Sequence, residues 1–415
     1  MNGRIIRIID EKYIGYLSDQ TAEEGVADSI SFPETESDAI EILLQLKELG
    51  ISNITVQGAR TGLKGKAVPH GGHIINGTRM NAVIDSGIVS SDSGWMIVQA
   101  GITLRDLHEE VRKRFGKEGL FWPPAPSEES ATVGGIVLSE AYGMNYAGYG
   151  KTINYISGIR ILSADGDAQL LTASDEVEKY LRDTSEFKLI TELSLIMIRK
   201  PEAIWGAAFF FTDTESAASF ADSLQSFQGC SGSVLTTMEF IDRTSIDITE
   251  RARPEIAALH KIPRIPDGID SIVYIEAAGN EEANKGTIMH IVEIAAEYGA
   301  DPETAWALFS ESEAETMRSF RHAVTEAATL IMAKMHVRDS AVYLQTLDLK
   351  SPDRSFSECL KIIRRGIGES KVVISACACI CDNMFRLCIM AENENEMEAG
   401  HDFIKRMSSK GMEII

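Results

Sequence analysis

The chain has 415 residues, 44% hydrophobic and 25% charged, enough for two or three packed units of an ordinary globular protein. Its net charge of -22 leaves no basic surface for phosphate backbones or anionic lipid, so neither nucleic acid nor a membrane is an expected partner. No window reaches the roughly 18 uninterrupted apolar residues of a membrane span, Met1–Tyr16 lacks the apolar core of a signal peptide, and four of six cysteines crowd between Cys377 and Cys388, so a reducing, cytoplasmic setting is expected.

Residues 37–50 have the apolar spacing of an amphipathic helix, with Ser37 as N-cap and Gly50 as stop. A short strand, 51–56, leads into a Gly-rich loop. Strands at 73–75 and 95–100 follow with a β-rich turn region between them, then a helix over 103–115 capped by Thr103. Residues 120–150 are dense in Gly, Pro, Ser and Tyr, a composition that suits a binding wall better than a linker. Strands at 153–162, 168–171 and 189–198 complete this half. From residue 207 the order is strand (207–211), helix (214–225), strand (233–241), strand (271–277) and helix (281–298), which suggests one ferredoxin-like unit. Helices at 311–336 and 355–367, a strand pair within 371–390 turning near Asp382-Asn383, and a helix at 396–408 end the chain.

The loop Gln57-Gly58-Ala59-Arg60-Thr61-Gly62-Leu63-Lys64-Gly65 places three glycines after a strand. Successive amides in such a turn form a concave nest for phosphate oxygens, and Arg60 and Lys64 add positive charge. The Walker pattern fails because Gly65-Lys66 is followed by Ala67, and Gly-x-Gly-x-x-Gly fails at Ala59-Arg60. Alone, the loop suits a tight inter-strand turn equally well.

Its ordered companions are more specific. They are Ala67-Val68-Pro69-x-Gly71-Gly72, Thr78-Arg79-Met80-Asn81, Val98-Gln99-Ala100-Gly101-Ile102-Thr103, Pro123-Pro124-Ala125-Pro126-Ser127, Ala131-Thr132-Val133-Gly134-Gly135 and Tyr149-Gly150-Lys151-Thr152. Together with the loop they resemble FAD-linked oxidases and dehydrogenases of the vanillyl-alcohol-oxidase fold, in the branch of glycolate oxidase subunits and the D-lactate and D-2-hydroxyglutarate dehydrogenases. The resemblance covers about residues 30–200. It implies an α+β fold: a two-lobed PCMH-type (p-cresol-methylhydroxylase-type) FAD-binding domain plus a ferredoxin-like substrate or cap domain. The implied division is an extension (1–29), the FAD domain (30–202, lobes about 30–95 and 96–202), the cap (203–370) and a segment completing the flavin site (371–415).

The same resemblance implies that Gly58 and the amides of Ala59, Arg60, Thr61, Gly62, Leu63 and Gly65 surround the FAD pyrophosphate. Pro124, Ser127, Thr132, Gly134 and Gly135 would lie along the flavin, Gly143 and Gly150 on the adenine and ribose side, and Ile190 against the adenine half. The loop has no His, and 120–150 has no Cys, so non-covalent FAD is expected. His70 and His73 read as turn residues.

A hydroxy-acid dehydrogenase needs an Arg for the carboxylate, a base for the hydroxyl, and FAD as hydride acceptor. Arg321 falls where the relatives carry the carboxylate Arg; Arg318 reads as an ordinary helix-face charge. The relatives' Gly-His-x-Gly-Asp-Gly-Asn-x-His segment corresponds to Ala378–Leu387, where the two His positions are Cys379 and Arg386, so no two-His metal centre carries over and no metal is expected. Arg386, His336 and Lys334 are further pocket candidates, and Asp339 matches a turn of the relatives. Cys377, Cys379 and Cys381 alternate as on one strand face and read as buried small residues. Two functions stay open: oxidation of a small hydroxy acid (lactate- or glycolate-like) with a separate iron–sulfur or electron-transfer-flavoprotein acceptor, or an FAD-binding electron-transfer or assembly subunit with an altered catalytic strand pair. A non-flavin binding protein is the third reading, and oligomeric state is left open.

Overall fold

The computed structural model describes all residues except 1–4, 8–10, 22, 142, 184–186, 228, 337–342 and 371. It divides into two compact units: Met1–Asn145 with Tyr149–Lys200, and Pro201–Ile415 with Tyr146–Gly148. No helix among the described residues is long and apolar enough to cross a membrane.

The first unit holds two sheets. In the smaller, Ser29–Ser31, His73–Asn76 and Ile54–Gln57 run parallel, and Ile5–Arg7 pairs antiparallel at the edge. Helix Glu36–Glu48 begins one residue before the expected Ser37 cap. The cap is Thr35, whose hydroxyl accepts from the Asp38 amide while the Asp38 carboxylate accepts from the Thr35 amide. Ala39, Ile42, Leu43 and Leu46 form its apolar stripe and bury against Ile75, Met80, Leu162 and Leu189. Leu162 and Leu189 belong to the second sheet, so this helix joins the lobes. Arg160 and Thr191 reinforce the joint by donating to Glu36 at 2.6–2.8 Å.

The second sheet is antiparallel, in the order Val83–Ser90, Ser93–Gln99, Leu189–Arg199, Ile156–Leu162, Ala168–Leu171, with Leu120–Phe121 also on Leu189–Arg199. Val83–Ser90 occupies the stretch read only as a β-rich turn region, with no strand limits given. As an edge strand it is mostly exposed and carries no apolar alternation. Helix Ser174–Arg182 is absent from the sequence expectation.

The second unit is built on one antiparallel eight-stranded sheet. Its order is Trp306–Leu308, Ala203–Phe211, Ser271–Gly279, Ser233–Asp242, Val373–Cys379, Met384–Ala391, Tyr343–Lys350, Glu413–Ile414. The first four strands with helices Thr214–Gln225 and Glu281–Glu297 form a βαββαβ unit of ferredoxin type. The last four with helices Phe356–Glu369 and Glu394–Ser409 form a second. Sequence predicts one such unit; two are joined edge to edge, with Glu239 opposite Cys379 and Ile241 opposite Cys377.

Strand alternation divides this sheet chemically. Phe209, Phe240, Ile275, Ile374, Phe385 and Leu387 pack with the four helices into one core. The intervening residues, Glu239, Tyr274, Glu276, Cys377, Cys379 and Arg386, face the other way. There the 26-residue helix Glu311–His336 and helix Arg243–Ala252 contact the sheet.

Candidate active site

The Gly-rich loop is a cradle held from its two ends. The buried Gln57 amide donates to the carbonyls of Tyr16 and Ala67, at 2.8 and 2.7 Å, and buried Asn76 donates to the Gly58 carbonyl at 3.1 Å. Arg60 takes a left-handed conformation (φ 61°), as does Gly65 (φ 67°). The amides of Ala59, Arg60, Thr61, Gly62 and Leu63 make no hydrogen bond among the described residues. Five adjacent uncommitted donors on a fixed turn suit a pyrophosphate. The Arg60 side chain departs from expectation. It turns back onto the N-terminal segment, its guanidinium 4.5 Å from the Tyr16 ring centroid and donating to the carbonyls of Gly15 and Ser18. Arg60 therefore offers the loop its amide, and its charge is spent as a clamp.

Close packing surrounds the loop. A Cβ on Gly58 would fall 2.2 Å from Thr132 Oγ1, so only Gly lets the two segments meet. Thr132 caps the short helix Val133–Leu138 by accepting from Gly135 N, and Gly134 N donates to Ala100 O at 2.8 Å. Gly143 (φ 74°) lies so near Ala125 that a Cβ would clash with its carbonyl at 1.8 Å. Pro124 is buried, Ser127 is exposed, and Gly150 takes φ 72°. The Ile190 side chain sits in the hydrophobic core of the second lobe, so only its backbone is left to face a ligand. His73, read as a turn residue, is a buried strand residue between Ser29 Oγ (2.7 Å) and Ser31 Oγ (2.9 Å). Burial pulls its pKa down to about 4.

On the polar face of the eight-stranded sheet, three arginines meet three acids. Arg321 Nε donates to Glu239 at 2.5 Å. Arg318 is bidentate on Glu276, at 2.6 and 2.5 Å, and Tyr274 Oη also donates to Glu276. Arg386 is bidentate on Asp348, at 2.9 and 3.1 Å. Arg318 is thus no surface charge but half of a buried pair. Burial holds the Glu239 carboxyl above the usual range, against the opposing pull of Arg321. The geometry separates the two candidate arginines. Arg386 commits two nitrogens to Asp348, whereas the terminal Nη groups of Arg321 make no hydrogen bond among the described residues. His322, one position along the helix, is half-buried, its Nε2 is buried with no partner among the described residues, and burial with Arg321 and Arg318 pulls its pKa down to about 4.

Beside these pairs the strand Val373–Cys379 ends in a single 3-10 turn, Ile380–Asp382, closed by Asn383 in the left-handed region (φ 54°). Gln225 donates to Ile380 O and Asn383 Oδ1, both at 2.7 Å, and Lys350 holds Asp382 at 3.1 Å. Cys377 and Cys379 share the sheet face as expected. Cys381 does not continue the alternation: it lies in the turn, 3.0 Å from Cys379 sulfur to sulfur. These two sulfurs and Asp382 come within 4.8 Å of one another, an atom set that can ligate a metal and that the sequence reading did not anticipate. Tyr146 is near this turn; burial, then Asp382 and the two cysteines, raise its phenol to about 12.

His336 ends its helix, but its side chain lies outside the described residues, as does Asp339. Lys334 pairs with Glu255. The acids Glu239, Glu276 and Asp348, which pair with Arg321, Arg318 and Arg386, are absent from the sequence reading. Their one signal was alternation: each acid neighbours core residues on its strand (Phe240; Ile275 and Ala277; Leu347 and Leu349) and so points to the opposite face.

Known proteins agree with both units. A family model described as the FAD binding domain matches residues 27–172, and one for the C-terminal domain of FAD linked oxidases matches 200–415. The chain is 31% identical over 179 residues to D-lactate dehydrogenase of Anaerostipes hadrus, covering 41% of this chain and 36% of that one. It is 25% identical over 279 residues to the mitochondrial D-2-hydroxyglutarate dehydrogenase of Danio rerio, covering 64% and 49%. The chain therefore spans half or less of the length of these curated relatives. Among solved structures, 4-ethylphenol oxidase from Gulosibacter chungangensis matches with a TM-score of 0.73 over 99% of this chain and 85% of that one, at 14% identity, a likeness of fold alone. The match over 200–415 spans more than half of the chain, so the protein belongs to the FAD-linked oxidases, with an FAD-binding domain within residues 27–172.

Proposed function

We propose that this protein is an FAD-dependent dehydrogenase of a small hydroxy acid, with Arg321 as the carboxylate anchor and Glu239 as the base. The observation that carries the reading is the Arg321–Glu239 pair: one nitrogen fixes the guanidinium on the sheet while its terminal edge is left for a second carboxylate. Burial raises the proton affinity of Glu239, and its Oε1 makes no hydrogen bond among the described residues. A buried carboxylate of raised pKa beside the anchor suits removal of the hydroxyl proton. Arg386, held by Asp348, adds positive potential, and Tyr146 stays protonated as a donor.

FAD would be held non-covalently by the amides of Ala59–Leu63 and Gly65, with Thr132, Gly134 and Gly135 packed behind them. When bound it supplies the two-electron hydride acceptor. A separate iron–sulfur or flavin protein would take the electrons onward. The relatives whose names specify D-lactate and D-2-hydroxyglutarate support the substrate class. The second reading, an electron-transfer or assembly subunit, is favoured by the Cys379 and Arg386 replacements and by the lock of Arg386 on Asp348. Anaerobic mixing of the FAD-loaded protein with lactate enantiomers, glycolate and 2-hydroxyglutarate separates them. Bleaching by one of these acids supports the dehydrogenase; bleaching by dithionite alone overturns it in favour of the carrier.

A further inference from the structure

We propose that Cys379 and Cys381 are a redox-active dithiol that exchanges with small-molecule disulfides such as oxidised glutathione. The inference is independent of the hydroxy-acid reading and rests on the turn that joins the two residues. In an extended strand, residues two apart lie roughly 6.6 Å from each other. Here the strand stops at Cys379 and the 3-10 turn folds Cys381 back, so that the sulfurs stand 3.0 Å apart. A disulfide bond is about 2.05 Å, so closure asks for about 1 Å of sulfur movement.

The turn is fixed in that geometry. Gln225 binds both of its ends, Asn383 Nδ2 donates to Arg354 O at 2.7 Å, and Lys350 holds Asp382. A second thiol held this close acts at a high effective concentration, which drives intramolecular closure ahead of a mixed disulfide. The pair is also asymmetric. Cys381 is half-buried and reachable, whereas Cys379 is 6% exposed. Cys377 is buried and directed at the Arg386 carbonyl, so it is no rival partner. A metal is the competing use of these atoms, but the set has three ligands rather than four, and the Asp382 carboxylate already faces the Lys350 ammonium.

The chemistry balances as two exchanges. The Cys381 thiolate attacks an external disulfide RSSR, forming Cys381–S–S–R and releasing RS⁻. Cys379 then gives up its proton and attacks the Cys381 sulfur, expelling the second RS⁻. Each RS⁻ takes one of the two thiol protons, so the protein dithiol is oxidised by two electrons and RSSR is reduced to two RSH.

The test treats the native full-length protein with oxidised glutathione, quenches in acid, alkylates after unfolding, and maps the peptide Val372–Arg386. Wild type is expected to lose two alkylatable thiols. The peptide should be lighter by two hydrogens, with the single alkyl group on Cys377. C379S should stop as a glutathionyl adduct on Cys381, C381S should stay unreacted in this peptide, and C377S should close as wild type does. Thermal midpoints and flavin content establish that each variant is folded. A glutathionyl end product in wild type, a bridge to Cys377, an inert peptide, or one equivalent of metal that must be chelated before any reaction overturns the proposal.

Discussion

Replacing Glu239 with Gln keeps the shape of the buried side chain but strands the Arg321 charge. The two side chains are only 4% and 13% exposed, so water cannot compensate. With charge centres about 4 Å apart and an effective dielectric of about 20, the pair attracts by about 4 kcal/mol. Removing one partner of such a pair costs about 3–5 kcal/mol, whereas replacing both with apolar residues is often neutral. For a unit of this size each kcal/mol moves the melting point by roughly 2–4 °C. E239Q should therefore lower the melting transition of the second unit by roughly 6–20 °C, and the E239M/R321M double variant should recover most of that loss. Scanning calorimetry of the full chain measures both. A shift for E239Q within about 2 °C, the size of an ordinary surface change of about 0.5 kcal/mol, would refute the reasoning. So would a double variant less stable than the single one. The same E239Q protein should be reduced by substrate about 10²–10⁴-fold more slowly if Glu239 takes the hydroxyl proton.

Asn383 holds a left-handed backbone and bonds Arg354 O and Gln225. N383A should cost about 2–4 kcal/mol in calorimetry, and N383G, which relieves the backbone term, about 1 kcal/mol less. G58A should destabilise the apoprotein and abolish flavin retention, because its Cβ meets Thr132 Oγ1. G62A, with nothing within 4 Å of the new atom, should leave apoprotein stability within about 0.5 kcal/mol; a G58A protein that keeps its flavin would contradict this. His73 has a folded pKa near 4 against 6.5 unfolded, so the unfolded chain binds more protons between these values. Its contribution is full above pH 6.5 and falls as pH drops toward 4, by about 2 kcal/mol at pH 5. Denaturation at pH 7 and pH 5 should show that slope, and H73N should flatten it.

Sequence legibility followed burial pattern and cap chemistry. Helices Thr214–Gln225 and Glu311–His336 match their predicted limits because periodic apolar residues run to both ends. Val83–Ser90 was legible only as a β-rich turn region without limits, because an exposed edge strand needs no apolar face. The second ferredoxin-like unit was hidden because its first strand, Tyr343–Lys350, follows a long helix and was not recognised, which left its later strands without a partner. The Gly-rich loop was legible through local glycines in order. The sheet-face pairs were not, since Glu239 and Arg321, or Asp348 and Arg386, lie tens of residues apart and meet only through the packing of a helix on the sheet or through strand order. Cys381 shows the limit of period-2 reasoning: alternation holds only while the strand lasts.

The measurement that bears most directly on the proposed function is anaerobic flavin reduction by the best hydroxy acid in wild type, R321K and R386K. An ammonium in place of Arg321 loses the bidentate grip, so R321K should need roughly 10²-fold more substrate for half-maximal reduction, a loss of about 3 kcal/mol in keeping with a charged hydrogen bond. R386K, whose partner is Asp348, should shift the half-maximal concentration by less than about 10-fold. Equal shifts in both variants, or no reduction of the wild-type flavin by any hydroxy acid, would contradict the assignment of Arg321 as the anchor.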